Sequence, residues 1–106
     1  MTYYEAVKAA LAVADVPVYH FKAHKQEATY IVWSETNSDG LHADGSVQNW
    51  AQRLAVDIFT KTEYSALPKT VAKALAAVGF AVDSDINTDY EEETGYIHHA
   101  ITCMWS

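Results

Sequence analysis

Residues 47–60 read VQNWAQRLAVDIFT. Within them Leu54, Val56 and Ile58 alternate with Ala55, Asp57 and Phe59. Successive side chains on a strand point to opposite faces. The spacing therefore predicts a long strand with one apolar face and one mixed face. Upstream, ATYIVWS at 28–34 is rich in β-branched and aromatic residues and reads as a second strand. Two such strands flanking a segment of Gly, Asp and Asn predict a hairpin.

The intervening stretch is SETNSDGLHADGS, residues 34–46. Its thirteen residues exceed the usual hairpin connection of about two to five. Its acidic and amide side chains invite a calcium-loop reading. Glu35, Asn37, Asp39 and Gly40 fall at the first, third, fifth and sixth positions of such a loop. The twelfth position is Ser46, which supplies no bidentate carboxylate, and the predicted flanks are strands where that loop needs helices. The stretch reads instead as an overlong, turn-rich hairpin loop whose Asn, Asp and Gly suit turn backbones.

Working outward, residues 3–14 carry Val7, Ala10, Leu11 and Ala14 on one helical face, with Tyr3 in line. Thr2 and Glu5 have capping-box spacing. Pro17 stops the helix. VYHF at 18–21 is a short strand candidate. Downstream, Leu67, Val71, Leu75 and Val78 recur at helical spacing. Pro68 suits the first turn and Gly79 the C-terminal cap. A short strand FAV, an acidic loop DSDINTDYEEET and a last strand YIHHAITCMW follow. On that last strand Ile97, His99, Ile101, Cys103 and Trp105 share one face. This order predicts an α+β fold: a mainly antiparallel sheet of about four to five strands with two helices packed on one face. The 106 residues are read as one domain, 1–106.

Charge narrows the function. The net charge is −7, unevenly placed: residues 1–26 sum to +1 and residues 63–106 to −5. An acidic surface disfavours non-specific nucleic-acid binding, which rests on Lys and Arg neutralising phosphates. It fits DNA passing nearby without being held. One cysteine, Cys103, allows no intrachain disulfide and fits folding in a cytosol. No basic segment precedes the N-terminal apolar run, and no apolar run is long enough to span a membrane.

No catalytic constellation emerges. His20 and His24 lie across HFKAH, with Pro17 just upstream, and do not share a helix face. His98 and His99 are adjacent on a strand and point apart. Cys103 lies mid-strand and reads as a packed small hydrophobe. There is no nucleophile elbow, P-loop or dinucleotide fingerprint. No enzyme, cofactor or metal site is expected.

Taken in order, a short helix, YIVWSE, a polar loop ending in Ala43-Asp44, the box Asp57-Ile58-Phe59-Thr60-Lys61, a helix ending in Gly79-Phe80 and a terminal strand after an acidic stretch form a layout. It resembles the small tail terminator and tail-completion (minor tail) proteins of long-tailed bacteriophages and prophages. The resemblance covers nearly the whole chain and rests on residue type and order. The chain departs from it at GSVQNWAQR, residues 45–53, where such proteins often carry more aromatics. The resemblance implies a structural virion protein that caps the tail tube as a ring-forming, often hexameric, homo-oligomer. Implied partners are the tail-tube protein and the head-connector (stopper) protein, with DNA passing the lumen and assembly in the bacterial host cytoplasm. The 34–46 segment is then the candidate contact arm. Its interface candidates are Asn37, Asp39, Gly40, Leu41, His42, Asp44 and the nearby Trp50. The alternatives are a head–tail connector or other minor tail protein, and a small ligand- or metal-binding module.

Overall fold

The computed structural model describes residues 2–36, 39–43 and 46–105, with 39–43 and 46–50 described as backbone only. Helix α1, Tyr3–Leu11, runs into a 3-10 turn over Ala12–Ala14. The Glu5 amide donates to the Thr2 hydroxyl at 3.2 Å, and the Thr2 amide donates to the Glu5 carboxylate at 2.8 Å. This reciprocal pair satisfies two N–H groups that a helix start would otherwise leave open. Asp15 ends the segment at φ 52°, a left-handed conformation that short polar side chains tolerate.

Seven strands follow or interleave: β1 Val18–His20, β2 Thr29–Glu35, β3 Asp39–Ala43, β4 Ser46–Thr60, β5 Ala81–Val82, β6 Asn87–Tyr90 and β7 Ile97–Trp105, with helix α2 at Leu67–Ala77. The main sheet has the order β1-β2-β4-β7-β5, while β3 pairs with β4 and β6 with β7. Only the β1–β2 pair is parallel. The expected α+β architecture holds. The strand count is corrected upward: five strands form the continuous path, and β3 and β6 lie in stretches read as loops. All four β6 residues are exposed, so no alternation marks the strand in sequence. Its ladder comes from β7.

Strand β4 is the spine of the sheet. Leu54, Val56 and Ile58 are buried and face the helices, as their alternation predicts. Ile31 and Trp33 of β2 and Ile101 and Cys103 of β7 join them. Val7, Ala10 and Leu11 of α1 and Val71 and Leu75 of α2 close the core from above. Both helices thus cover one face only. In the DIFTK box, Ile58 and Thr60 point into the core while Asp57 and Phe59 point away. The buried Thr60 hydroxyl lies 3.0 Å from that of Thr29 and accepts from the Thr62 amide at 3.1 Å.

The end of α2 is fixed by a paired cap. The Phe80 amide donates to the Leu75 carbonyl and the Gly79 amide to the Ala76 carbonyl, both at 3.1 Å. This six-to-one plus five-to-two pattern needs positive φ at the residue after the cap, and Gly79 sits at φ 113°. A Cβ there would also lie 3.2 Å from the Trp105 ring. Gly79-Phe80 therefore turns the chain into β5 and places Phe80 against Trp105, with ring centroids 5.0 Å apart.

Candidate interface

Three surfaces stand out beyond the core. The first is the 34–46 stretch, now resolved into a second hairpin in place of one long loop. The β2–β4 ladder runs from Thr29↔Thr60 to Glu35↔Leu54. The chain then leaves the main sheet and returns as β3, paired with the first part of β4 from Asp39↔Ala51 to Ala43↔Ser46. The register shifts between Leu41 and His42, which leaves Gln48 as the extra residue of a bulge. Bulges of this kind bend a strand and increase its twist. The β4 segment before Gln52 pairs with β3 and not with β7, so the hairpin is an arm beyond the sheet. The molecule accordingly spans 50 Å along one axis against 27 and 26 Å along the others.

The base of the arm is latched. The Thr36 amide donates to the Arg53 carbonyl at 2.9 Å. The Gln52 side-chain amide donates to the Thr36 and Arg53 carbonyls at 3.3 and 3.0 Å. Of the candidate interface residues, Asp39, Gly40, Leu41 and His42 lie on β3 and Trp50 lies opposite Gly40 on β4. Asn37 and Asp44 lie outside the described residues.

The second surface is the sheet face opposite the helices. Tyr30 stacks on Phe59 at 4.9 Å and Phe59 stacks on His98 at 4.5 Å, across three neighbouring strands. Tyr19 meets the Tyr30 edge at 6.3 Å. His98 Nε2 lies 2.8 Å from the Asp57 carboxylate. Tyr96 anchors one end: its hydroxyl donates to the Glu27 carbonyl at 2.5 Å, and Lys61 Nζ sits 4.8 Å from its ring centre.

The third surface is the β1 edge. His20 lies between two rings, 3.8 Å from Trp33 and 3.9 Å from Phe21. Its Nε2 is 2.5 Å from Glu35, whose other oxygen accepts from the Tyr3 hydroxyl at 2.8 Å. Glu35, aligned in sequence with a calcium position, is thus committed to holding α1 and β1 on β2. Phe21 is 64% exposed and adopts φ 70°, which is unusual for a bulky residue. A cavity of about 290 Å³ opens between α1 and β1, walled by Tyr4, Leu11, Val18, His20 and Trp33 with Lys8 at its side.

Burial raises the Glu35 pKa, but the hydrogen bonds from His20 and Tyr3, with smaller backbone and charge effects, outweigh it together and leave it below the ordinary 4.5. The same bond pushes the Tyr3 hydroxyl up. A carboxylate depressed in the folded state contributes stability above its unfolded pKa, and that stability is lost as pH falls through the folded value. The melting-temperature gap between the native chain and Glu35→Gln is therefore expected to be constant above about pH 6 and to narrow below about pH 4.5. A gap that stays constant through that acid range refutes the depressed carboxylate.

The remaining groups do not assemble into chemistry. Burial, and secondarily Asp83, push the Cys103 thiol up to about 12, so it is a packed hydrophobe as expected. His98 and His99 do point to opposite faces. His99 Nδ1 lies 3.0 Å from the Thr88 hydroxyl, its buried Nε2 has no partner, and burial lowers its pKa. Sequence reading named no acid–base pair, yet the fold brings two together, His20–Glu35 and His98–Asp57. Their separations of fifteen and 41 residues left no local signal. Among the described residues no three potential metal ligands cluster, and no helix is long and apolar enough to cross a membrane.

No family model matches the chain, and no curated protein matches it in sequence. Among solved structures, the fold is similar to that of a chain in the virion of a native gene transfer agent particle. The TM-score is 0.58 at 16% identity, over 95% of this chain and 87% of that one. A second solved protein matches with TM-score 0.53 at 15% identity, over 92% of this chain and 84% of that one. At these identities the likeness is one of fold.

Proposed function

We propose that the chain is a structural virion protein. In its finer form the reading is a tail terminator or tail-completion subunit that forms a ring at the head end of the tail tube. The observation that carries it is the fold likeness to a component of a gene transfer agent virion, which runs over nearly all of both chains. Three features of the molecule support it. Half-exposed aromatic surfaces lie on both faces and one edge of the sheet, the composition that protein interfaces favour. The arm is long enough to reach a neighbour. The acidic charge suits a lumen through which DNA moves without being retained. In this reading the partners are other copies, the tail-tube protein and the head-connector protein, and assembly takes place in the host cytoplasm before incorporation into the tail.

A head–tail connector uses the same supports and is the second reading. Mixing the purified chain with tail-tube and connector proteins encoded beside it separates the two. A terminator is expected to form ring-sized species and to cap one end of the tube in electron micrographs. Binding to the connector without binding the tube favours the second reading. A strictly monomeric chain that binds neither overturns both.

A further inference from the structure

The two edges of the sheet differ in charge and in shape. The β1 edge carries Lys8, Lys22 and Lys25, all exposed, beside the cavity between α1 and β1. The opposite edge is β6 and the turn after it, with Asp89, Glu92 and Glu93 exposed. Among the described residues, Lys8, Lys22, Asp89, Glu92 and Glu93 form no ion pair. Each edge thus displays uncompensated charge of opposite sign. Tyr90 closes β6 and is 59% exposed.

The positions also correspond. Val18, Ile31, Ile58, His99 and Thr88 form one continuous rung across the sheet. Tyr90 is one side-chain step along β6 from Thr88 and opposite Ile97. Tyr90 and the cavity therefore lie on the same, helix-covered face, at opposite edges and nearly level. A head-to-tail repeat needs this placement, because each copy must present different patches at its two sides without being turned over. The cavity, about 290 Å³, is at the lower limit for small-molecule sites and suits a single aromatic side chain. Trp33 and His20 offer stacking faces inside it, and Lys8 borders it.

We propose that copies of this chain associate edge to edge, the Tyr90 ring of one copy seated in the α1–β1 cavity of the next, with the glutamates after Tyr90 set against Lys8 and Lys22. This deepens the ring reading above and rests on it, by naming the contact that joins neighbours. The aromatic ring fills the pocket and supplies affinity, and the charged rim sets direction and register. Because the patches differ, the contact leaves a free edge at each end and continues to the next copy.

Sedimentation of the native chain over a concentration series, beside Y90S, K8E/K22E and E92K/E93K, tests it. All the altered residues are exposed, and unchanged melting temperatures confirm that the variants fold. Y90S is expected to associate about thirtyfold more weakly, the effect of losing an aromatic hot spot. Each charge-reversed variant alone is expected to lose association. An equimolar mixture of K8E/K22E with E92K/E93K is expected to regain it, because one intact cavity edge then meets one intact acidic edge. Association that ignores all three changes, a mixture that fails to recover, or a native chain that never associates overturns the proposal. Rings that form normally in the variants reject this contact while leaving the virion reading to be judged by tube capping.

Discussion

A chain in which Thr36 is joined to Arg53 through an Asn-Gly pair is expected to fold normally and to lose assembly. The cut removes residues 37–52 and leaves the core residues of β2, β4 and β7 in place. Its ends already face each other, since the Thr36 amide donates to the Arg53 carbonyl at 2.9 Å. They also continue the β2–β4 register by one step beyond Glu35↔Leu54. A two-residue Asn-Gly turn closes such a pair with the twist that antiparallel strands prefer. A shorter connection also lowers the closure entropy slightly, by about 0.6 kcal/mol for each halving of length. The loss of the Gln52 hydrogen bonds to Thr36 and Arg53 offsets this by about 1 kcal/mol. The net change in melting temperature should stay within about 8 °C. Tube capping, in contrast, is expected to disappear. Normal capping by the trimmed chain would show that the arm contacts nothing the assembly needs. The arm and the charged edges are tested separately, because the excision leaves Lys8, Lys22, Tyr90 and the glutamates untouched.

The parts of this fold that sequence revealed are those in which one element carries its own pattern. Leu54, Val56 and Ile58 announced both the strand and its buried face. Thr2 with Glu5, and Gly79 with Phe80, marked helix ends because caps are made by residues a few positions apart. Strand β6 was hidden for the opposite reason: it buries none of its residues, so neither face had to be apolar. Strand β3 was hidden because Asp39, Gly40 and His42 are turn-prone or polar, and their ladder with β4 depends on a partner that sequence had already assigned to β2. Long β4 serves both in succession, β2 along its second half and β3 along its first. The edge cluster was illegible for a third reason. Glu35 meets Tyr3 across 32 residues and His20 across fifteen, and only the β1–β2 pairing and the packing of α1 bring them together. The arm itself was foreseen from length alone, through a loop too long to be only a turn.

Ile58→Ala should destabilise the chain more than any other change argued above, and it tests the register on which the whole sheet description depends. Ile58 is fully buried, between Ile31 on β2 and His99 on β7, beneath the helices. Truncating a buried isoleucine removes transfer energy and leaves a cavity, at a cost of about 2–5 kcal/mol. Against a total stability of about 5–15 kcal/mol for a domain of this kind, that is a large fraction. With a shift of roughly 4–8 °C per kcal/mol, the melting temperature should fall by at least about 8 °C. Asp57→Ala, one position earlier on the opposite face, loses the His98 contact at 2.8 Å and opens no core cavity. It should cost about 1 kcal/mol. The ratio of the two is the informative quantity. A slip of one residue in β4 would exchange the two faces and make Asp57 the costly position. It would also turn Phe59 and His98 towards the helices and dissolve the aromatic row on the open face. Larger loss at Ile58 than at Asp57, measured by thermal or denaturant unfolding, therefore secures the placement of both faces at once.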